Sequence, residues 1–528
     1  MFGFTTNPRV RSRRTTCVNT ITRSPWWAGA LAGVLAAAAG VATGTAVAAL
    51  LNGVPSPIES VGNRAIDLAP PMLKDFAVEQ FGTHDKPVLI GGVVATLALL
   101  AAVAGIIGRT RPAIATGGVA VIGLIAVAAA AVDRTATASR ALTLVPSLLT
   151  VVVSLAALAI LLTTLRRTRE APAGLLRRDF LKAVIGIGAL VVVGGIVNKL
   201  YGTAAAVASR AGIRLPKPAV AAPPVPAGTQ VDVTGISPYV TANRDFYRVD
   251  TALRIPDVPA EGWNLRIHGM VDNEVNLSFR ELLDMPLAEH RITLTCVSNE
   301  VGGPYLGNAV WTGVLVKDLL EQAGVKSGAD AVKSTSADKW TAGTPLEALT
   351  DERNSMVAIG MNGEPLPLAH GFPARLVVPG LYGYVSATKW LTDLEVTRFA
   401  DFKAYWTTRQ YDALAPIKFS SRIDVPKSFQ TFPADRVRVG GVAWAQTVGI
   451  EQVEVRVDKG PWQVAKLGTE DTVETWRQWS WQWDDATPGN HTLTVRATTK
   501  DGDTQTSDRA SIRPNGTTGW HSVQFRVE

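Results

Sequence analysis

The stretch Thr293-Leu-Thr-Cys296-Val-Ser-Asn-Glu-Val-Gly-Gly-Pro-Tyr-Leu-Gly-Asn-Ala-Val-Trp311-Thr-Gly313 decides the fold of the largest part of this chain. It continues an alternating run, residues 291–295, that is typical of a half-buried strand. A loop rich in glycine, asparagine and proline follows, and Cys296 lies where the strand meets the loop. A thiol at this position is suited to bind a large ligand, although a free cysteine is often only a small buried hydrophobic residue. The stretch by itself leaves both interpretations open.

Composition divides the chain into a membrane part and a soluble part. Of 528 residues 47% are hydrophobic, and the mean hydropathy is +0.16. The apolar residues form long runs before about residue 200 and alternate with charged residues afterwards. The net charge of +7 lies largely beside the apolar runs, which favours a topology signal over a nucleic-acid partner. The two cysteines, Cys17 and Cys296, fall one in each part, so we expect no disulfide within the soluble part.

Five apolar stretches are long enough to cross a membrane, and no ionisable residue lies in the middle of any of them. They cover residues 26–51, 88–108, 112–132, 141–165 and 183–200, with a basic tail at 1–25 and a mixed-charge loop at 52–87. Arginine clusters lie in the tail, between the second and third stretches, and between the fourth and fifth. This pattern predicts a cytoplasmic N-terminus and an extracytoplasmic region after about residue 201. The five stretches are predicted to anchor the protein in membrane lipid rather than to form a transporter.

The segment Arg177-Arg178-Asp-Phe180-Leu181-Lys182 precedes the fifth stretch. It resembles the twin-arginine export signal, which directs domains that have already folded around a cofactor. The alternative is ordinary positive charge on the cytoplasmic side of a helix.

The soluble part is predicted to have two domains after a linker rich in alanine and proline at 201–230. Short strands and short helices alternate over 231–425, a mixture typical of an α+β domain. Residues 426–528 contain strands separated by turn signals, which predicts an immunoglobulin-like β-sandwich. Its four tryptophans, at 476, 479, 481 and 483, are expected to pack in the core and at strand edges.

Several motifs after residue 235 resemble the molybdopterin-binding domain of the sulfite oxidase family. They are Leu-Thr-Cys296 with Trp311-Thr-Gly313, Met361-Asn-Gly363, His370-Gly-Phe-Pro-Ala-Arg375, Gly383-Tyr-Val-Ser386-Ala-Thr-Lys389-Trp390, and the opening segment Asn243-Arg-Asp-Phe246-Tyr247. They occur in the family's order, and the C-terminal sandwich is similar to the family's dimerisation domain. The resemblance implies a molybdenum oxidoreductase that could form a homodimer through this domain.

The resemblance also implies roles for particular residues. Cys296 would be the metal ligand, since molybdenum in this family takes one protein thiolate beside the dithiolene of its pterin. Arg375 and Lys389 would bind the pterin phosphate. Tyr411 resembles the active-site tyrosine that faces the metal and the substrate, with Tyr405 as a rival. Further cofactor contacts are implied for Asn243, Phe246, Tyr247, His370, Gly383 and Ser386.

Two departures from the family concern the substrate. Sulfite-oxidising members carry arginines where this chain has Val301 and Val249. Loss of two cations weakens binding of a dianion such as sulfite. A less charged substrate, such as a sulfoxide or a methionine sulfoxide in protein, is therefore the alternative, unless Arg244, Arg248 or Arg409 compensates.

The predicted function is a membrane-anchored molybdopterin oxidoreductase that moves an oxygen atom to or from a small sulfur-containing substrate. Electrons would be exchanged with an external carrier or a membrane quinone, because the chain has no Cys-x-x-Cys-His haem motif. The opposing hypothesis is a non-enzymatic binding module displayed on the membrane.

Overall fold

The computed structural model describes residues 25–51, 53–70, 73, 76, 85–136, 138–167, 175–201, 203–434 and 437–528. Residues 1–24 of the predicted cytoplasmic tail, including Cys17, lie outside this description, as do the side chains of Arg177 and Arg178.

The described N-terminal part is helical. Its helices are α1 Trp26–Leu50, α2 Pro57–Leu68, α3 Asp85–Gly108, α4 Pro112–Ala131, α5 Arg140–Arg167, α6 Leu175–Tyr201 and α7 Ala204–Gly212. Five helices are long and apolar enough to cross a membrane, and they begin and end within a few residues of the predicted stretches except at the start of α6, which precedes residue 183. The orientation of these helices stays a prediction.

Helix α1 lies at the centre of the bundle and packs against α3, α5 and α6. Its contact with α3 depends on glycine, because a Cβ at Gly33 would lie 1.9 Å from the Ala101 carbonyl oxygen. A Cβ at Gly105 would similarly lie 2.0 Å from the Gly29 carbonyl oxygen. Small residues allow two backbones to approach where lipid provides no hydrophobic force between helices. The bundle therefore has a specific packing.

The prediction of a loop at 52–87 was wrong for residues 57–68, because these residues form helix α2. The helix begins with a capping box in which the Ser56 side chain accepts from the Glu59 N–H and the Glu59 carboxylate accepts from the Ser56 N–H. Pro57 occupies the first helical position, where its missing N–H costs nothing. The sequence carried this signal, but the surrounding prolines obscured it.

The predicted linker at 201–230 makes extensive contacts with the soluble part. Ala206, in α7, belongs to the main hydrophobic core. The Arg210 guanidinium donates to the carbonyl oxygens of Pro365 and Leu366 at 2.7 and 2.9 Å. The Gly228 carbonyl oxygen accepts from the Thr469 N–H, in the C-terminal sandwich, at 3.0 Å. The segment connects both soluble domains to the bundle, and the domain boundaries drawn from the sequence stay predictions.

Two sheets form the α+β domain. Their strands are β1 Asn264–Gly269, β2 Val275–Ser278, β3 Ala288–Thr295, β4 Leu306–Leu315, β5 Ala331–Ser336, β6 Thr341–Pro345, β7 Met356–Met361, β8 Glu364–Pro365, β9 Arg375–Val377 and β10 Leu391–Thr397. One sheet has the order β2-β1-β10-β5-β6 and the other the order β3-β4-β7-β8, with β9 paired to β7. The short helices are α8 Phe279–Asp284, α9 Val316–Ala323, α10 Glu347–Thr350 and α11 Gly383–Ser386. The strand predicted at 291–295 is thus confirmed as the end of β3.

The C-terminal region consists of two sheets around a second hydrophobic core. Its strands are β11 Ser420–Val425, β12 Thr431–Phe432, β13 Arg438–Trp444, β14 Ile450–Val457, β15 Gln463–Val464, β16 Lys466–Leu467, β17 Arg477–Gln482, β18 Gly489–Thr499 and β19 His521–Val527. The sheet orders are β11-β13-β17-β16 and β12-β19-β18-β14-β15. Strand β11 ends at the predicted boundary between residues 425 and 426 and pairs with β13 of the C-terminal region; the boundary itself stays a prediction. Trp479 is fully buried, as expected, and the immunoglobulin-like class stays a prediction.

Candidate active site

Cys296 is held where β3 and β4 separate. The two strands pair up to Thr295 and Leu306, and the Cys296 N–H then donates to the Tyr305 carbonyl at 2.9 Å, which closes the loop between them. The Ser298 N–H points at the thiol sulfur, 3.4 Å away. Burial raises the pKa of the Cys296 thiol. The side chain is buried but lies at the wall of a cleft, and its role as a metal ligand stays a prediction.

This cleft, called the catalytic cleft below, encloses about 900 Å³, including space open to solvent. Eight of the ten predicted site residues line it: Phe246, Tyr247, Cys296, His370, Arg375, Gly383, Lys389 and Tyr411. They come from five separate segments of the chain, which the two sheets bring to one place. The side chains of Asn243 and Ser386 do not line the cleft.

Arg375 is a fully desolvated cation at the start of β9. One terminal nitrogen donates to the His370 carbonyl oxygen at 3.2 Å, and the guanidinium lies over the Trp311 ring. Its Nε has no hydrogen-bond partner, and no carboxylate in the described part of the chain forms a salt bridge with Arg375. Burial lowers the pKa of Arg375 to about 10, so the side chain stays charged at neutral pH. A buried, unpaired guanidinium is costly unless an anion binds to it.

Lys389 provides the second buried cation. Its ammonium donates to the Asp250 carboxylate at 2.6 Å and to the Ala369 carbonyl oxygen at 3.1 Å. Asp250 also pairs with Lys86 at 2.5 Å and with Arg248 at 3.0 Å. Burial opposes ionisation of Asp250, but these three cations outweigh it and hold the pKa of its carboxyl well below the usual range. One carboxylate thus faces three cations, and the edge of the cleft keeps an excess of positive charge.

His370 and Asn243 meet through the backbone. The His370 Nε2 lies 3.0 Å from the Asn243 carbonyl oxygen, and because a carbonyl only accepts, Nε2 carries the proton. Burial, aided by Arg375, lowers the pKa of His370 to about 4, so the ring is neutral at pH 7. The Asn243 side chain donates to Glu364 and to the Met361 carbonyl oxygen. Asn243 therefore contributes to the cleft through its backbone carbonyl oxygen, which positions the His370 ring.

Gly383 lines the cleft but the Ser386 side chain has partners elsewhere. The Ser386 hydroxyl donates to the carbonyl oxygens of Leu381 and Tyr382, at 3.1 and 3.0 Å, at the start of α11. It stabilises the turn that carries Gly383. The Ser386 hydroxyl could donate a hydrogen bond to the cofactor only if it gave up these two bonds.

The structure distinguishes the two tyrosines. Tyr411 lines the cleft, and its ring packs edge-on against Tyr384 and Trp406. Burial, and the nearby Cys296 thiol, raise the pKa of Tyr411 to about 12, so its hydroxyl remains a hydrogen-bond donor. Tyr405 does not line the cleft, and its ring lies against the guanidinium of Arg409.

The three arginines that could compensate for the missing family arginines lie in different surroundings. Arg244 is 88% exposed and pairs with Asp245. Arg409 stacks on Tyr405 and lies 3.9 Å from Asp67 of α2. Of the three, Arg248 is the one that pairs with Asp250, the carboxylate that also binds Lys389 in the cleft. Its neighbour Val249 lines the cleft directly.

The structure also places in the cleft residues that the sequence analysis did not select. They include Asp250, Asp338, Trp340, Tyr384 and Trp406. Asp250 is the most consequential, because it orders Lys389 from 139 residues away in sequence. A strand-free segment gives no periodic signal for such a contact, so the sequence could not reveal it.

The donor set fits a large anionic cofactor with a soft metal. The thiol supplies a soft ligand. The unpaired Nε of Arg375 and the excess positive charge around Lys389 suit a phosphate. The aromatic side chains of Phe246, Tyr247 and Trp406 provide flat apolar walls.

Comparison with known proteins agrees with this donor set. Residues 252–406 match the family model described as the oxidoreductase molybdopterin binding domain. An uncharacterized oxidoreductase of Bacillus subtilis, YuiH, is 38% identical over 149 residues, which cover 28% of this chain and 72% of YuiH. Human mitochondrial sulfite oxidase is 29% identical over 288 residues, 46% of this chain and 52% of the relative, so the chain spans about half of that enzyme. The sulfane dehydrogenase SoxCD of Paracoccus pantotrophus aligns with a TM-score of 0.49 at 22% identity over 55% of this chain and 84% of its own.

The matched domain and the cleft define an enzyme of the oxidoreductase class that uses a molybdenum cofactor. The chain belongs to the family of oxidoreductases with a molybdopterin-binding domain of the sulfite oxidase type. The hypothesis of a non-enzymatic binding module was therefore wrong.

Proposed function

We propose that this protein is a membrane-anchored oxidoreductase that transfers an oxygen atom to or from a small sulfur-containing substrate. The five apolar helices anchor it, and the soluble part lies outside the cytoplasm. Electrons pass to or from an external carrier or a membrane quinone.

One observation carries the proposal: a thiol and an unpaired buried guanidinium line the same cleft. Cys296 supplies the metal ligand, and Arg375 with Lys389 holds the phosphate of the pterin. When bound, the cofactor supplies a two-electron redox centre that exchanges oxygen atoms with substrate. Tyr411 keeps its proton and donates a hydrogen bond to an oxygen at the reacting centre.

The choice of substrate rests on charge. Val249 lines the cleft, and Val301 follows Cys296 in the neighbouring loop. Neither side chain can pair with an oxyanion, and Arg248 already shares Asp250 with two lysines. A neutral sulfoxide, free or as methionine sulfoxide in protein, is the candidate to compare with sulfite.

The anchoring and export proposals rest on sequence and helix length. The helices have the length and composition of membrane spans, and arginine clusters alternate between their ends. The segment at 177–182 has the twin-arginine pattern expected of a domain exported with its cofactor. Thiol labelling in intact cells tests the orientation, with the native Cys17 as the site before α1 and, in a Cys17→Ser background, a cysteine introduced after residue 430 as the C-terminal site. Access at the C-terminal site alone supports the proposal, and access at the N-terminal site alone contradicts it.

The direct test of function uses the full chain expressed in a host that makes molybdopterin. We expect the purified protein to contain about one molybdenum per chain, since one thiolate ligates one metal. Cys296→Ser should abolish turnover and leave the thermal unfolding transition in place. Cys17→Ser is the matched control and should retain both. Full activity in Cys296→Ser would refute the assignment of the ligand.

The substrate test compares two reactions of the same preparation. Oxidation of sulfite is measured with ferricyanide, and reduction of methyl sulfoxides is measured with a reduced viologen. Higher kcat/KM for the sulfoxide supports the neutral substrate. A kcat/KM for sulfite that exceeds the value for the sulfoxide by tenfold or more would contradict the charge argument. Each missing cation is expected to weaken binding of the sulfite dianion by about 1 kcal/mol or more.

A further inference from the structure

A second cavity lies where the membrane bundle meets the α+β domain. This junction cavity encloses about 740 Å³, including space open to solvent. One wall is the C-terminal end of α1 and the turn after it, with Ala48, Ala49, Leu51 and Val54. The opposite wall is the segment 252–258 of the α+β domain. The cavity therefore lies at the point where a membrane-length helix ends against the catalytic part of the chain.

The junction cavity and the catalytic cleft are linked through a smaller cavity. That middle cavity encloses about 300 Å³ and shares Asn63, Thr135 and Asp338 with the junction cavity. It shares Thr251, Asp338 and Trp340 with the catalytic cleft. Asp338 thus borders all three cavities. Neighbouring cavities that share wall residues thus extend from the catalytic cleft to the end of α1.

The contact between the bundle and the domain is a built interface. Lys86 of α3 pairs with Asp250, which in turn holds Lys389 in the catalytic cleft. Arg409 of the α+β domain lies 3.9 Å from Asp67 of α2. These ion pairs hold the helix ends against the mouth of the cleft, so the cavities between them have defined walls.

The lining of the junction cavity suits a lipid-soluble ligand with a polar ring. Ala48, Leu51, Val54 and Leu253 present apolar surface near the helix end. Polar groups lie toward the domain, where the Arg254 guanidinium is 3.9 Å from the Glu59 carboxylate. The Arg254 guanidinium is a donor that suits a carbonyl oxygen, whereas the Asn63 amide donates to Asp133 and Thr135. The side chains of Glu59 and Asp338 also line the cavity and would be the groups that exchange protons with the oxygens of such a ring.

From this arrangement we propose that the junction cavity binds a quinone, which exchanges two electrons with the redox centre in the catalytic cleft. The inference rests on the proposed function and names its membrane partner. The overall reaction balances as substrate plus water plus quinone giving oxygenated substrate plus quinol. Water supplies the oxygen atom and two protons, and the two electrons lost by the substrate reduce the quinone. Run in reverse, the same balance describes reduction of a sulfoxide by quinol.

The test uses the full chain, loaded with molybdenum, in lipid nanodiscs. Decylubiquinone is the quinone probe, and ferricyanide is a water-soluble acceptor that needs no membrane site. Ala49→Trp fills the cavity from the bundle side, and Ile255→Trp fills it from the domain side. Leu50→Trp is the matched control, since Leu50 is 59% exposed and does not line the cavity. Two filling variants from opposite walls keep the test usable if one of them fails to fold.

We expect the ratio of quinone-dependent to ferricyanide-dependent turnover to fall at least tenfold in both filling variants and to stay unchanged in Leu50→Trp. Saturable decylubiquinone binding, measured without substrate, should be lost in the same two variants. Turnover with ferricyanide but no saturable quinone binding would overturn the inference and leave the proposed function standing. Saturable binding without turnover on any acceptor would instead contradict the proposed function. Equal binding in the filled and control variants would mean that the quinone binds outside the junction cavity, which also overturns the inference.

Discussion

Asp250→Asn removes the one carboxylate that three cations share while it keeps the shape of the side chain. Asp250 and Lys389 are only 5% and 9% exposed, so their pair is buried, whereas Arg248 is 39% exposed and can be solvated. Breaking a buried ion pair from one side costs about 3–5 kcal/mol. We expect the lower end, about 3 kcal/mol, because burial already lowers the pKa of Lys389 to about 8 and the lysine can lose its proton. The melting temperature of the full chain should fall by roughly 6–12 °C.

A second variant separates the charge effect from loss of packing. Asp250→Asn combined with Lys389→Met removes the unpaired ammonium and should recover about 2 kcal/mol, because a neutral pair is tolerated where a lone charge is not. Molybdenum content should be low in the double variant, since Lys389, a proposed ligand of the pterin phosphate, is gone. Asp245→Asn, in an exposed pair with Arg244, is the matched control and should change neither quantity. Unfolding is followed by tryptophan fluorescence in detergent. If Asp250→Asn alone melts within about 2 °C of the unaltered protein, the reasoning is refuted.

Three further predictions concern other parts of the molecule. Tyr411→Phe should lower kcat by about 10- to 100-fold with molybdenum content unchanged, since one hydrogen bond to a charged oxygen is lost. The control Tyr405→Phe should have little effect on kcat. Equal losses of kcat in the two variants would contradict the assignment of Tyr411. Gly105→Leu should destabilise the bundle and lower the yield of folded protein in detergent, because a Cβ there meets the α1 backbone, while Gly91→Leu on the same helix has open space and should be neutral. Burial, aided by Arg422, lowers the pKa of His521 to about 4, so the unfolded chain binds more protons between about pH 6.5 and 4, and stability is lost as the pH falls through that window. His521→Gln should flatten this pH dependence of unfolding by at most about 3 kcal/mol, and an unchanged slope would contradict the assignment.

Those features that leave a periodic or local signal were predictable from the sequence. The membrane-length helices follow from uninterrupted apolar runs, and β3 follows from alternation up to Thr295. The short helices α8 and α9 lie within the region where short helices and strands were predicted to alternate, and α8 begins with a capping box from Ser278 to Glu281. Each of these signals is contained within a few consecutive turns or residues.

The features that were missed depend on contacts between distant segments. Asp250 gains its importance from Lys86 and Lys389, which lie 164 and 139 residues away. The Ser386 hydroxyl has local carbonyl partners that no motif reveals. The cavity between the bundle and the α+β domain exists only when α1 and the segment 252–258 meet. Such properties follow from tertiary packing, which a single sequence does not encode in any local pattern.

The central claim is that the Cys296 sulfur binds molybdenum, and X-ray absorption at the molybdenum edge tests it most directly. We predict that the sulfur shell of the purified full chain contains one sulfur ligand more than that of Cys296→Ser loaded in the same host. Identical sulfur shells in the two proteins, at equal molybdenum content, would contradict the claim.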